Sequence, residues 1–242
     1  MKAVILAAGI ASRLRPLTNN RPKCLLEVGE RCLLQRTFDG LIENGIREFV
    51  VVTGYLHEQI ENFLKEKYDG VSITFIHNEL YASTNNIYSL WLARPCVCGE
   101  EMLLLDSDIL FDPQIVTRLL SSPHANAIAL NRHPLGEEEM KIIPDDCGMV
   151  KEISKTCSID EAAGESIGIE KMCESYTRAL YNELELMMSE GLDNIFYERA
   201  FERLIPQGHT FHVEDTTDLF SMELDTVEDF NSAKELIPAS LF

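Results

Sequence analysis

The chain is short of positive charge. Its 21 lysines and arginines stand against 40 aspartates and glutamates, a formal net charge of −19. Nucleic acid is therefore not an expected partner, because phosphate backbones need broad basic surface. An anionic membrane surface is excluded on the same ground. Long apolar runs are also missing. The opening run, Ala3 to Ala8, is too short to span a membrane. Arg13 and Arg15 follow it too soon for a secretory signal, so a cytoplasmic protein is expected. No C-x-x-C pair occurs. The 7 cysteines, Cys24, Cys32, Cys96, Cys98, Cys147, Cys157 and Cys173, are odd in number and irregularly spaced, which reads as reduced thiols. His209 and His212 lack companion ligands and read as surface histidines of one strand. Neither G-x-G-x-x-G nor G-x-x-x-x-G-K-[ST] is present, so the dinucleotide and P-loop readings do not apply.

What is present is 242 residues, 45% of them hydrophobic, enough to bury a sizeable core. Hydrophobic period gives the map. "AVILAA", "EFVVVT" (48–53), "SITFIH" (72–77), "EMLLLD" (101–106) and "ANAIALNR" (125–132) read as buried strands. Between them, helix spacing appears in "CLLQRTFDGLIENG", stopped by Gly45, and in residues 56–68. "NNIYSLWLA", capped by Ser83 or Thr84, and residues 113–121, with Pro113 at the first position, are further helices. Such alternation predicts a parallel, doubly wound sheet. After Arg132 the pattern shifts. "EEMKIIP", "GMVKEIS" and "ESIGIEKM" predict an antiparallel meander, followed by helices over 175–190 and 195–205. Strands "TFHVED" and "LFSMEL" and a helix "TVEDFNSAKELI" close the chain. The expected organisation is one domain over 1–242, with an alternating part over 1–132 and an elaboration over 133–242.

Ligands of open parallel sheets bind at the carboxyl ends of the strands. "LAAGIASRLRPLTNNRPKCL" (6–25) lies there and holds Arg13, Arg15, Arg21 and Lys23 with no acid. Small residues and Gly9 allow backbone N–H groups to approach an anion, with Arg13 and Lys23 as cations for a polyphosphate. A solvated basic loop is the alternative. After the fourth strand, "LLLDSDILFD" places Asp106 and Asp108 where packing does not explain them. Asp112 can cap the next helix, which leaves both for an oxygen-seeking cation such as Mg²⁺. In "MELDTVEDF", Asp225 can cap the last helix, or Glu223 and Asp225 can join Asp108 on one metal.

The stretch from Met1 to Ile46 resembles the opening of the nucleotidyltransferases that join a nucleoside triphosphate to a phosphorylated small molecule. Their pattern is L-A-A-G-x-G-x-R-L-x-P-L-T followed by P-K. The resemblance continues through "VVVTGY", "NNIYSLWLA", "DSDILF", "ISK", "GESIGIEKM", "FYERAF" and "MELDTVEDF". Within that superfamily the chain is similar to the phosphocholine and 2-aminoethylphosphonate cytidylyltransferases. The resemblance implies a Rossmann-like α/β/α sandwich with a mostly parallel sheet and a C-terminal β-rich and helical elaboration. It implies that Leu6, Ala8 and Gly9 contact the nucleotide through backbone groups, and that Arg13 and Lys23 hold the triphosphate. Gly54, Tyr55, Thr84, Asn85 and Asn86 would lie beside the base or ribose. Asp108 and Asp225 match the Mg²⁺ ligands, with Asp106 and Glu223 as supporting or alternative groups, Asp106 on the nucleotide side. Lys155 matches the lysine that holds the acceptor's phosphate. Tyr197 and Glu198 fall where a cationic head is bound, combining a π face with a carboxylate.

The activity implied is transfer of CMP from CTP to a small phosphorylated or phosphonate amine, by a monomer or homodimer. A sugar-1-phosphate nucleotidyltransferase using UTP, dTTP or GTP is the first alternative, and a non-catalytic nucleotide-binding protein the second. The chain departs from the pattern at two positions. Ala11 stands at the second glycine, where a methyl is harmless only if φ is negative. Cys24 stands at the proline after the P-K lysine, and nothing marks it as a nucleophile.

Overall fold

The computed structural model describes residues 1–241. Its first strand, β1 (Lys2–Ala7), is buried from Ala3 onward, as a strand covered on both faces must be. A loop with two 3-10 turns, Ser12–Leu14 and Lys23–Leu25, leads to a small ribbon, β2 (Glu27–Val28) and β3 (Arg31–Cys32). Helix α1 (Leu33–Glu43) follows and stops at Gly45, whose φ of 85° suits glycine. Then come β4 (Glu48–Thr53), α2 (His57–Lys67), β5 (Ser72–His77), α3 (Asn86–Leu92) and the short α4 (Arg94–Val97). β6 (Met102–Asp106), β7 (Ile109–Phe111), α5 (Gln114–Ser121) and β8 (Ala127–Asn131) complete the alternating part. Beyond it lie β9 (Lys141–Pro144), β10 (Val150–Ser154), β11 (Gly164–Met172), α6 (Glu174–Ser189) and α7 (Glu198–Leu204). The chain closes with β12 (His212–Asp215), β13 (Ser221–Glu223) and α8 (Val227–Leu236).

β1 lies between β4 and β6, all parallel, with β5 beyond β4. Successive side chains of β1 point to opposite faces and so enter different cores. Ala3, Ile5 and Ala7 pack with Phe38 and Leu41 of α1, Leu64 of α2 and Ile115 of α5. Val4 and Leu6 pack with Ile87 and Leu90 of α3, Leu180 of α6 and Phe201 of α7. Burial of each such aliphatic side chain contributes about 1.5–3 kcal/mol. The result is the expected α/β/α sandwich with a mostly parallel sheet. Among the described residues no helix is long and apolar enough to cross a membrane.

Three expectations are corrected. The meander is not in sequence order: β9 lies between β10 and β11, and β11 continues onto β6. Alternation tells which residues face inward but not which strand is whose neighbour. The 9-residue β11 pairs with β6, β8 and β9, and its register against β8 shifts between Ser166 and Glu170, around Gly168 at φ 70°. Helix α3 is capped by Asn85, whose side chain accepts from the Asn86 N–H at 2.8 Å. The Thr84 hydroxyl is instead turned back to the Leu80 carbonyl at 2.9 Å. Finally, only His212 lies in a strand. It is half-buried and stacked on His124 at 3.6 Å, while His209 packs edge-on against Tyr176.

Two further contacts position the cavity described below. β13 pairs antiparallel with β7, bringing Glu223 opposite Ile109, and the Leu224 N–H donates to the Asp108 carbonyl at 3.1 Å. At the end of β4, Gly54 lies against the first loop. A Cβ there would fall 2.6 Å from the Ala8 carbonyl oxygen and 2.7 Å from Tyr81 Cβ. Both neighbours are held by their own backbones, so neither can yield cheaply. Gly54→Ala is expected to destabilise the protein by about 2 kcal/mol, read as a lower urea midpoint at unchanged slope.

Candidate functional site

A cavity of about 800 Å³ opens at the carboxyl ends of β1, β6 and β8. The first loop forms one wall. Leu6, Ala8, Gly9, Ala11, Arg13 and Lys23 all line it. Ala11 has φ 51° and ψ 52°, the left-handed region. The condition under which its methyl would be harmless is thus not met. Its carbonyl accepts from the Thr18 hydroxyl at 2.9 Å and from the Leu14 N–H at 3.1 Å, which holds the turn in place. Arg21 faces away and pairs with Glu27 at 2.7 Å.

The loop's cations do not stand free. Lys23 Nζ lies 2.9 Å from Asp108 Oδ2 and 2.7 Å from Asp225 Oδ1, and Arg13 also pairs with Asp225. Asp108, Glu223 and Asp225 offer carboxylate oxygens all within 4.8 Å of one another. Asp225 is available because it does not cap α8. Thr226 does, in a capping box: its hydroxyl accepts from the Asp229 N–H at 3.1 Å, and Asp229 Oδ2 accepts from the Thr226 N–H at 2.8 Å. Lys23 and Arg13 hold Asp225 below the usual carboxylate range despite its partial desolvation. Glu223 forms no ion pair among the described residues. Desolvation in the cleft and repulsion from Asp108 and Asp225 raise its pKa to about 8. At pH 7 it is largely protonated, while Asp108 and Asp225 face the two cations. Three hard oxygen donors, one of them without a counter-charge, fit a Mg²⁺ ion.

Asp106 lines the cavity and accepts from the Tyr197 hydroxyl at 3.0 Å. Desolvation, then repulsion from Asp108 and Glu198, raises its pKa well above the carboxylate range. Gly168 leaves room for it, since a Cβ there would fall 2.7 Å from Asp106 Oδ2. Thr84, Asn85 and Asn86 also line the cavity. Asn78 organises this corner, donating to Thr84 Oγ1 at 3.2 Å and Ser89 Oγ at 3.1 Å. Asn86 Oδ1 accepts from the Tyr197 N–H at 3.0 Å, tying α3 to α7.

Gly54 and Tyr55 are not brought to the cavity. Tyr55 supports the loop from behind, its N–H donating to Ala8 O at 3.0 Å and its hydroxyl to Asn19 O at 2.8 Å. Tyr197 is sealed at 0% exposure and offers no π face. Its neighbour Phe196 is exposed and lines the cavity instead, with Lys155 Nζ 4.6 Å from its ring centre. Lys155 also faces Glu138 at 3.6 Å. The buried Lys141 fixes this segment by donating to the Lys155 carbonyl at 2.6 Å. Glu198 lines the cavity at 6% exposure, and burial raises its pKa to about 7. Cys24 is buried, and burial pushes its thiol far above the range of a nucleophile.

Sequence reasoning missed Asn78, Tyr81, Ser89, His133, Glu165 and Phe196, all on the cavity wall. The strand-end rule, applied after "ITFIH" and "IALN", would have pointed to Asn78 and His133. No local signal separates Phe196 from Tyr197.

The nucleotidyl transferase family model matches residues 2–169, and the chain belongs to that family. It is 48% identical over 107 residues to the choline-phosphate cytidylyltransferase of Streptococcus pneumoniae, covering 44% of this chain and 45% of that protein. It is 31% identical over 241 residues to the CMP-5'-(3-aminopropyl)phosphonate synthase of Streptomyces rubellomurinus, covering 96% of this chain and 38% of that protein. The chain thus spans less than half the length of these two curated relatives. Among solved structures, it is similar to the CTP:phosphocholine cytidylyltransferase of Streptococcus pneumoniae, with TM-score 0.81 and 26% identity. That match covers 98% of this chain and 99% of the other.

A carboxyl whose pKa rises on folding holds its proton more tightly in the folded chain. Glu198 therefore contributes its full stability below its ordinary value of 4.5, and the contribution is lost as pH rises toward 7. Stability is expected to fall across that window. Glu198→Gln is expected to remove on the order of 2 kcal/mol of the fall, read from thermal melts between pH 5 and 8. A left-handed alanine costs about 1–2 kcal/mol, partly offset by the unfolded-state entropy that glycine adds. Ala11→Gly is expected to stabilise by about 0.5 kcal/mol, in contrast to the usual loss for this substitution, as read by urea titration.

Proposed function

We propose that this chain transfers CMP from CTP to a small phosphorylated or phosphonate amine and releases pyrophosphate. The observation that carries the reading is one cavity with two sets of charges. Arg13 and Lys23 stand with Asp108, Glu223 and Asp225, while Lys155 stands with the buried Glu198. The names of the relatives, a choline-phosphate cytidylyltransferase found by both sequence and structure and a CMP-aminopropylphosphonate synthase, support it.

An acceptor phosphate oxygen forms a bond to the α-phosphorus. The bond from that phosphorus to the β-bridging oxygen breaks, and its electron pair leaves with pyrophosphate. The acceptor oxygen is already ionised near neutral pH, so no general base is required. The obstacle is repulsion between two anions, and the residues answer it by charge and position. Lys23 and Arg13 turn from the acids to the triphosphate and stabilise the leaving pyrophosphate. Lys155 holds the attacking phosphate. Asp108, Asp225 and Glu223 would hold Mg²⁺, which supplies neutralisation of the triphosphate when bound. Leu6, Ala8 and Gly9 offer backbone groups to the nucleotide, and Thr84, Asn85 and Asn86, with Asp106, lie on its base and ribose side.

Pyrophosphate release tests this with CTP, UTP, ATP and GTP against phosphoamines and glucose 1-phosphate. CTP with an amine acceptor is expected to react. Reaction with the sugar phosphate alone would overturn the reading. Asp108→Asn is expected to lower kcat on the order of 10²-fold, and near-normal turnover would remove Asp108 from the metal site.

A further inference from the structure

The acid side of the cavity discriminates between kinds of amine. A primary ammonium presents N–H donors and needs oxygen acceptors. A quaternary ammonium presents only methyl groups and is held by several aromatic faces. Phenyl and phenol rings line this cavity at two positions, Tyr81 and Phe196. Tyr81 belongs to the Asn78 corner, its N–H donating to the Asn78 carbonyl at 3.3 Å. The Phe196 face is already covered by Lys155 Nζ at 4.6 Å. Tyr197, which could have supplied a further ring, is sealed and donates to Asp106. Among the described residues, these two rings make no aromatic cage.

The carboxylates tell the opposite story. Glu165 is taken by His133 at 2.7 Å, Glu139 by the Gly136 N–H at 2.8 Å, and Glu138 faces Lys155 at 3.6 Å. Glu198 is different. Its Oε2 is buried and has no hydrogen-bond partner. Among the described residues, the other buried side-chain atoms in that condition belong to Arg36, Glu170, Tyr176 and Glu183, none of which lines the cavity. A buried acceptor without a donor is costly, and a ligand N–H relieves the cost where a methyl group cannot.

We infer that the acceptor is a primary ammonium compound, an aminoalkyl phosphate or aminoalkylphosphonate, and that Glu198 receives its N–H and excludes the trimethylammonium analogue. This rests on the amine-acceptor reading above. The transfer step is unchanged, since the amine takes no part in bond making and keeps its protons.

The test is a ladder of acceptors with CTP and wild-type protein: phosphoethanolamine, its N-methyl and N,N-dimethyl forms, and phosphocholine, with 2-aminoethylphosphonate alongside. Sites built to bond an N–H reject analogues without it strongly. The expected kcat/KM for phosphoethanolamine exceeds that for phosphocholine roughly 100-fold, with the largest step where the last N–H is lost. A ratio below about ten, or a preference for phosphocholine, overturns this inference and leaves the amine reading standing. Reaction with glucose 1-phosphate alone overturns both. Glu198→Gln is expected to raise KM for phosphoethanolamine more than kcat falls and to narrow the ratio, and an equal loss for both acceptors would speak against Glu198. Should that variant fail to fold, the wild-type ladder decides.

Discussion

The Lys23 ammonium between Asp108 and Asp225 is the contact on which the cavity depends. It spans 85 residues of sequence to one partner and 202 to the other. It joins the first loop to the turn after β6 and to the segment between β13 and α8. At 11% exposure the lysine is costly to bury as a charge, and only the two carboxylates make that position tolerable. Burial alone would lower its pKa, yet the pair of acids raises it. The same two acids belong, with Glu223, to the carboxylate cluster of the cavity. A lysine therefore supports both acids in the free protein.

Environment divides the cavity's carboxyl groups by task. Asp225, paired with two cations, stays ionised. Glu223, beside two acids and with no ion pair of its own among the described residues, has its pKa raised to about 8. Asp106 is desolvated, fixed by the Tyr197 hydroxyl and accommodated by a glycine. Glu198 is buried with an unpaired oxygen. Identical chemistry in four surroundings gives four roles, and each surrounding comes from a different element: α8's cap, the β7–β13 ribbon, the bulge in β11, and the start of α7.

Much of this was legible in the sequence. Hydrophobic period located every principal strand and helix, because burial on both faces of β1, β4 and β6 leaves uninterrupted apolar runs. The acid pairs at strand ends stood out because packing could not explain them. What was not legible had a common cause. The cap of α8 could be Asp225 or Thr226, and only the reach of Asp229 selects the threonine. Phe196 and Tyr197 are adjacent, and only the packed fold shows that Tyr197 is sealed while Phe196 faces the cavity. Gly54 and Tyr55 follow a strand end as Ala8 does, yet they lie behind the loop rather than beside the ligand space.

The sequence by itself determined the class of fold, the family and the chemical types gathered at the site, because these depend on residue identity and period along one chain. The tertiary structure decided strand order after β8, the left-handed turn at Ala11, and which charge neutralises which. Those depend on distances between segments far apart in sequence. The free oxygen of Glu198 is the plainest case. Any glutamate has that oxygen, but only the packed fold shows that no described residue hydrogen-bonds to it.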